Sequence, residues 1–205
     1  MKKVLSIILP TTQSISNLSQ LMALYEESKG VEAENYICVG AALSIGLLKR
    51  GFRIESSSLE EAKVLQNTYT ENYRKADKSP NISPASLAGL RRTALTATIN
   101  IQPTATTCGY DVMNCIEADT INSLLFYYGE ESSHCIYFEK QATHFKAYDL
   151  YVNETFILEN DDIFIKWLNL THMIHLHKNE ALRTEDLYPE NSVYLYSYES
   201  VKYHL

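Results

Sequence analysis

The chain changes texture near Gly109. Before it, apolar residues recur at helical spacing; after it, short runs rich in Tyr, Phe, Ile and Leu alternate with polar turns. Helices gathered first and strands gathered after imply an α+β architecture, with a helix laid against an antiparallel sheet. In the first half, Leu18, Leu21, Met22 and Tyr25 share a helical face that closes at Gly30. Residues 38–50 are apolar and small, and Lys49-Arg50-Gly51 is a good helix stop. Ser56-Ser57-Ser58 ahead of Glu60 and Glu61 reads as the N-cap of a helix running to about Arg74. After a loop over 78–84, a further helix is expected over 84–99. In the second half, apolar runs at 121–128, 134–138 and 145–152 form a meander of strands. A strand at 155–158, a helix at about 161–170 and a Tyr-rich strand at 193–198 complete the pattern.

Length and composition bound what this pattern can serve. At 205 residues the chain suits one domain, expected over 21–205, behind a mobile segment at 1–20. A hydrophobic share of 45% and a charged share of 21% are those of a folded, soluble protein. A net charge of −7 argues against nucleic acid and anionic membrane as partners, since both select a basic face. The apolar run at 4–10 is too short to span a bilayer, so no integral membrane segment is expected. Cys38, Cys108, Cys115 and Cys135 form no CxxC pair, which points to free thiols in a reducing compartment, without a metal or other cofactor. The sequence sets no oligomeric state.

A thiol nucleophile needs a favoured thiolate, a base within hydrogen-bond reach and a third group to orient that base. Cys38 stands where a small-residue helix begins, after Glu34-Asn35, and a helix N-terminus favours an anion. His134 opens a strand directly after the turn Glu130-Glu131-Ser132-Ser133 and so faces a cleft at the sheet's edge. Asp149 ends the following strand, which returns in a hairpin beside the start of the one before it. Asn35, three residues before Cys38, is the nearest amide side chain that can donate to an oxyanion.

Other assignments stay open at this level. Cys108 precedes Gly109-Tyr110 and follows Gln102, an amide side chain six positions earlier, so it is a second candidate nucleophile. A buried structural thiol is the plain alternative for either cysteine. His144, with Asn160 or Asp161 to orient it, is a second candidate base; a surface histidine at a hairpin turn is its plain reading. His172, His175 and His177 form H-x-x-H-x-H, without a Cys or carboxylate at ligand spacing, so a solvated cluster is preferred to a zinc site. Tyr194, Tyr196 and Tyr198 alternate and read as the edge of the core.

The run Cys38-Val39-Gly40-Ala41-Ala42-Leu43-Ser44 resembles the nucleophile helix of the YopT/AvrPphB-type papain-like cysteine protease family of bacterial effectors. Residues 124–129, then His134-Cys135-Ile136-Tyr137-Phe138, then Ala147-Tyr148-Asp149, are similar to that family's strand, His-strand and Asp-strand, and residues 163–168 lie where it has a helix. Asp149-Leu150-Tyr151 stands where the family often has Asp-Pro-Asn. The resemblance spans about 38–170. It implies a papain-like fold, with N-terminal helices and the nucleophile helix packed on a C-terminal antiparallel sheet. It also implies a Cys38, His134, Asp149 triad and a host-protein substrate met after export from a bacterial cytoplasm into a host cell. Gln141-Ala142-Thr143-His144 resembles the histidine segment of papain-like glutamine deamidases, so deamidation is the alternative activity. A non-catalytic binding module on the same fold is the alternative from another class.

Overall fold

The computed structural model describes residues 13–28, 37–49, 59–76, 84–89, 95–101, 107–116, 122–127, 134–152, 154–181 and 193–198. In chain order the elements are β1 (Gln13–Ile15), α1 (Leu18–Ser28), α2 (Cys38–Lys49), α3 (Leu59–Lys75), α4 (Pro84–Leu87), β2 (Leu95–Ile101), α5 (Cys108–Cys115), β3 (Asn122–Tyr127), β4 (His134–Lys140), β5 (Phe145–Asp149), β6 (Glu154–Leu158), α6 (Asp161–Ala181) and β7 (Val193–Tyr198). The strands form a 7-stranded sheet in the order β1-β6-β5-β4-β3-β7-β2. Neighbours pair antiparallel except β1, which runs parallel to β6. The consecutive strands β3 to β6 are the meander that the spaced apolar runs predict.

Side chains alternate across a strand, so each run divides between two faces. Cys135, Tyr137, Tyr148, Tyr194 and Tyr196 pack with α2, α3 and α4 in one cluster. Ile136, Phe138, Phe145, Ala147, Phe156, Val193 and Leu195 pack with α1, α5 and α6 in the other. Helices thus cover both faces, which explains why β4 is buried along nearly its whole length and shows no polar alternation. The second layer is aromatic: the rings of Phe145 and Phe164 stack at 3.8 Å, and Phe156 meets Trp167 edge to face at 5.6 Å.

Helix α2 lies between α3 and the sheet and is buried from Cys38 to Ile45. A helix that is apolar all round has no solvent face to give up, which suits that position. A Cβ at Gly40 would run into the carbonyl of Ala62, so the glycine permits the close approach of α2 and α3.

Several expectations are corrected. The helix expected over 84–99 is the short α4 followed by strand β2. Gly89, at φ +82°, ends α4 in the left-handed region, and the alternation of Thr96, Thr98 with Ala97, Ile99 then suits pairing with β7. Helix α6 runs on to Ala181, because no Pro or Gly interrupts the pattern after Leu170. Helix α5, 8 residues long, is too short for its periodicity to stand out in the sequence. In the segment expected to be mobile, 1–20, residues 13–15 pair with β6 and Leu18 begins α1, while residues 1–12 lie outside the described residues, so that expectation is not among those corrected.

Candidate active site

The site is built where α2, β4 and β5 end together. Cys38 is the first residue of α2 and is 8% exposed, the only one of the three cysteines at 38, 108 and 135 with any measurable exposure. The first turn of this helix is held from α3. The Gln66 side-chain oxygen accepts the N–H groups of Val39 at 3.1 Å and Gly40 at 3.0 Å, while its nitrogen donates to Thr70 at 3.2 Å. Two of the donors left over at any helix start are satisfied in this way, and the orientation of the Cys38 turn is fixed.

Asp149 ends β5. Continuing the β4–β5 register from Tyr137↔Tyr148 sets it opposite Ile136, which makes His134 its diagonal neighbour on the same face. The side chains meet: His134 Nε2 lies 2.8 Å from Asp149 Oδ1, with 2% of His134 and none of Asp149 exposed. The Cys38 thiol hydrogen-bonds to the same imidazole. Since Asp149 occupies Nε2, the nitrogen left to the sulfur is Nδ1. The structure therefore brings together all three residues that the sequence proposes for the triad. Asn35 lies outside the described residues.

The carboxylate is further held by groups that sequence reasoning did not single out. Tyr151 donates its backbone N–H to Oδ1 at 2.9 Å, and Tyr25 donates its hydroxyl to Oδ2 at 2.7 Å. Trp167 in turn donates its indole N–H to the Tyr25 oxygen at 2.8 Å. The Tyr151 ring lies parallel to His134 at 3.9 Å, and the Tyr127 ring lies parallel to it at 6.3 Å. No local signal marks these residues. Tyr25 and Asp149 are 124 positions apart, and Tyr25 reads in sequence only as one more residue on an apolar helix face.

Electrostatics follow from this geometry. Burial works against a charged His134, but the charge and hydrogen bond of Asp149, joined by those of Cys38, push its pKa up to about 9. Burial likewise opposes a charged Asp149, yet His134, Tyr25 and the Tyr151 N–H together hold its carboxyl below the usual range. Tyr25 is pushed well above the ordinary phenol by burial and by the neighbouring carboxylate, so it stays a donor.

The rival residues fall elsewhere. Cys108 belongs to the opposite core layer beside Tyr127, and burial with Asp111 nearby pushes its thiol up to about 12. Cys135 faces the α2 layer, and burial raises it strongly as well. Gln102 lies outside the described residues. His144 sits in the β4–β5 turn, where its carbonyl accepts the Gln141 N–H at 2.9 Å. That is the far end of β4 from His134, about 20 Å away at roughly 3.3 Å per residue. Asn160, its suggested partner, instead caps α6 by accepting the Ile163 N–H at 3.0 Å. His172 and His175 lie on α6, buried, each stacked against Tyr127 at 5.5 Å, so they do not form the solvated cluster expected. The side chain of His177 lies outside the described residues. Among the described residues no helix is long and apolar enough to cross a membrane.

No protein-family model matches the chain, and no curated protein matches it either. Among solved structures, the crystal structure of the Pseudomonas avirulence protein AvrPphB is similar, with a TM-score of 0.60. The match covers 86% of this chain and 100% of that one at 12% sequence identity. At such identity the likeness is one of fold, and the chain has the papain-like α+β fold.

Proposed function

We propose that the chain is a thiol-dependent amide hydrolase of the protease type, acting on a host protein after delivery from a bacterium. One observation carries the reading: a single buried imidazole is held between the Cys38 thiol and the Asp149 carboxylate. In this mechanism His134 holds the Cys38 proton as an imidazolium, and the thiolate attacks the amide carbonyl carbon. The tetrahedral oxyanion is met by the Cys38 backbone N–H, since those of Val39 and Gly40 are given to Gln66, with Asn35 as the candidate side-chain donor. His134 returns its proton to the departing amine as the C–N bond breaks, leaving a thioester. Water then gives a proton to His134 and attacks the thioester, and the intermediate collapses to release the acid and the Cys38 thiolate beside protonated His134. Asp149 keeps the ring in the tautomer and orientation this cycle requires.

The test begins with iodoacetamide at pH 7. Cys38 is expected to label at least tenfold faster than Cys108, Cys115 or Cys135, and His134→Ala to abolish the difference. Equal labelling of all four thiols would remove the hydrolase reading and leave a binding module. Mass spectrometry of host-cell extract treated with the native chain or with Cys38→Ala then separates the reactions. New chain termini mark proteolysis, whereas a gain of about one dalton at glutamine, with –NH₂ replaced by –OH, marks deamidation.

A further inference from the structure

We propose that Tyr25 is a positioning residue of this site, and that Tyr25 and Trp167 act as one relay setting how tightly the His134–Asp149 pair holds its protons. The geometry fixes the direction of each bond. An indole N–H can only donate, so the Tyr25 oxygen accepts from Trp167 at 2.8 Å. The Tyr25 proton is thereby turned toward Asp149 Oδ2, where the distance is 2.7 Å. Asp149 and Trp167 are fully buried and Tyr25 is 6% exposed, so water cannot substitute freely for the missing donor. The two carboxylate oxygens are therefore served from different parts of the chain: Oδ1 by His134 and the Tyr151 N–H, Oδ2 by α1 and α6.

Removing the Tyr25 hydroxyl strips a donor from a buried anion. Every protonation step of the pair then becomes more favourable, because the bare carboxylate depends more on its positive partner or on a proton of its own. Among the described residues, the other titratable groups facing the pair are Cys38 on α2, Tyr127 on β3, Cys135 on β4, and Tyr148 and Tyr151 on β5 and its turn. Burial holds these tyrosines and Cys135 protonated through the neutral range, so they do not titrate alongside the pair.

The inference takes its functional meaning from the hydrolase reading, but its test does not depend on it. The His134 ring would be titrated by NMR in the full-length chain, in Tyr25→Phe, in Trp167→Phe and in the double variant. Tyr25→Phe keeps the ring and should raise the His134 midpoint by about one pH unit, a tenfold gain in proton affinity. Trp167→Phe should shift it the same way by less, and the double variant should match Tyr25→Phe alone, since Trp167 acts through Tyr25. An unchanged midpoint, or shifts that simply add, overturns the relay. If Tyr25→Phe does not fold, Trp167→Phe carries the same test by itself: a shift upholds the relay and none overturns it. Iodoacetamide labelling of Cys38 in the unmutated chain reports separately, so an unreactive thiol beside a shifted His134 would sink the hydrolase reading alone.

Discussion

At the level of single residues, the site depends on one carboxylate surrounded by donors. Asp149 is fully buried, and its charge survives because His134, Tyr25 and the Tyr151 N–H all point at it. Asp149→Asn keeps the shape but removes the charge that lifts His134, so the ring should fall from about 9 toward its ordinary 6.5. Labelling of Cys38 at pH 7 should then slow by on the order of tenfold or more, measurable with iodoacetamide. Asn35→Ala tests the remaining sequence-based assignment. If Asn35 serves the oxyanion, amide hydrolysis should drop about 10²–10³-fold with Cys38 labelling unchanged, because the donor acts only when charge develops on the carbonyl oxygen. The triad was legible in the sequence because each member sits at an element's end, where turns and helix stops are written locally. Tyr25 and Trp167 were not, because their roles arise only once α1 and α6 pack beside β5.

Among the elements, α2 bears the greatest constraint. It must bring Cys38 to the sheet's edge while packed against α3, and two features of the sequence set its depth. Gly40 leaves room for the Ala62 carbonyl, and Gln66 holds the first turn. Gly40→Ala should force the two helices apart, at a cost of about 1–3 kcal/mol in urea unfolding. Cys38 labelling should fall in the same variant, since the sulfur moves with its helix. Gln66→Ala should cost about 1 kcal/mol, as loss of a helix cap does. The small residues of 38–50 signalled close packing, and the helix was readable from them. The strand β2 was not, because Ala94 to Ala97 reads as helical until β7, nearly a hundred positions later, supplies a partner for the backbone. The same holds for β1, whose three residues gain strand character only by pairing with β6.

For the molecule as a whole, two buried histidines that both stack with Tyr127 are shifted in opposite directions, and their difference should shape stability against pH. His134 is raised from 6.5 to about 9, so the folded chain holds a proton that the unfolded chain releases between those values. Its contribution is fully present below 6.5 and is lost as pH rises through 9. His172 is lowered from 6.5 to about 4 by burial, and its Nδ1 has no hydrogen-bond partner among the described residues. Here the unfolded chain takes up the proton first, so stability is lost as pH falls from 6.5 toward 4. Each limb is worth on the order of 3 kcal/mol, at up to about 1.4 kcal/mol per pH unit. Asp149, held below its ordinary 3.8, adds a further loss only at more acid pH. Urea unfolding from pH 4 to 9 should therefore give a maximum near 6.5. His172→Phe, which keeps an aromatic ring against Tyr127, should flatten the acid limb and leave the basic limb in place. A curve that stays level from 6.5 to 9 would mean that His134 is not held as a cation by Asp149 and Cys38, and the charge pairing at the centre of the site would have to be abandoned.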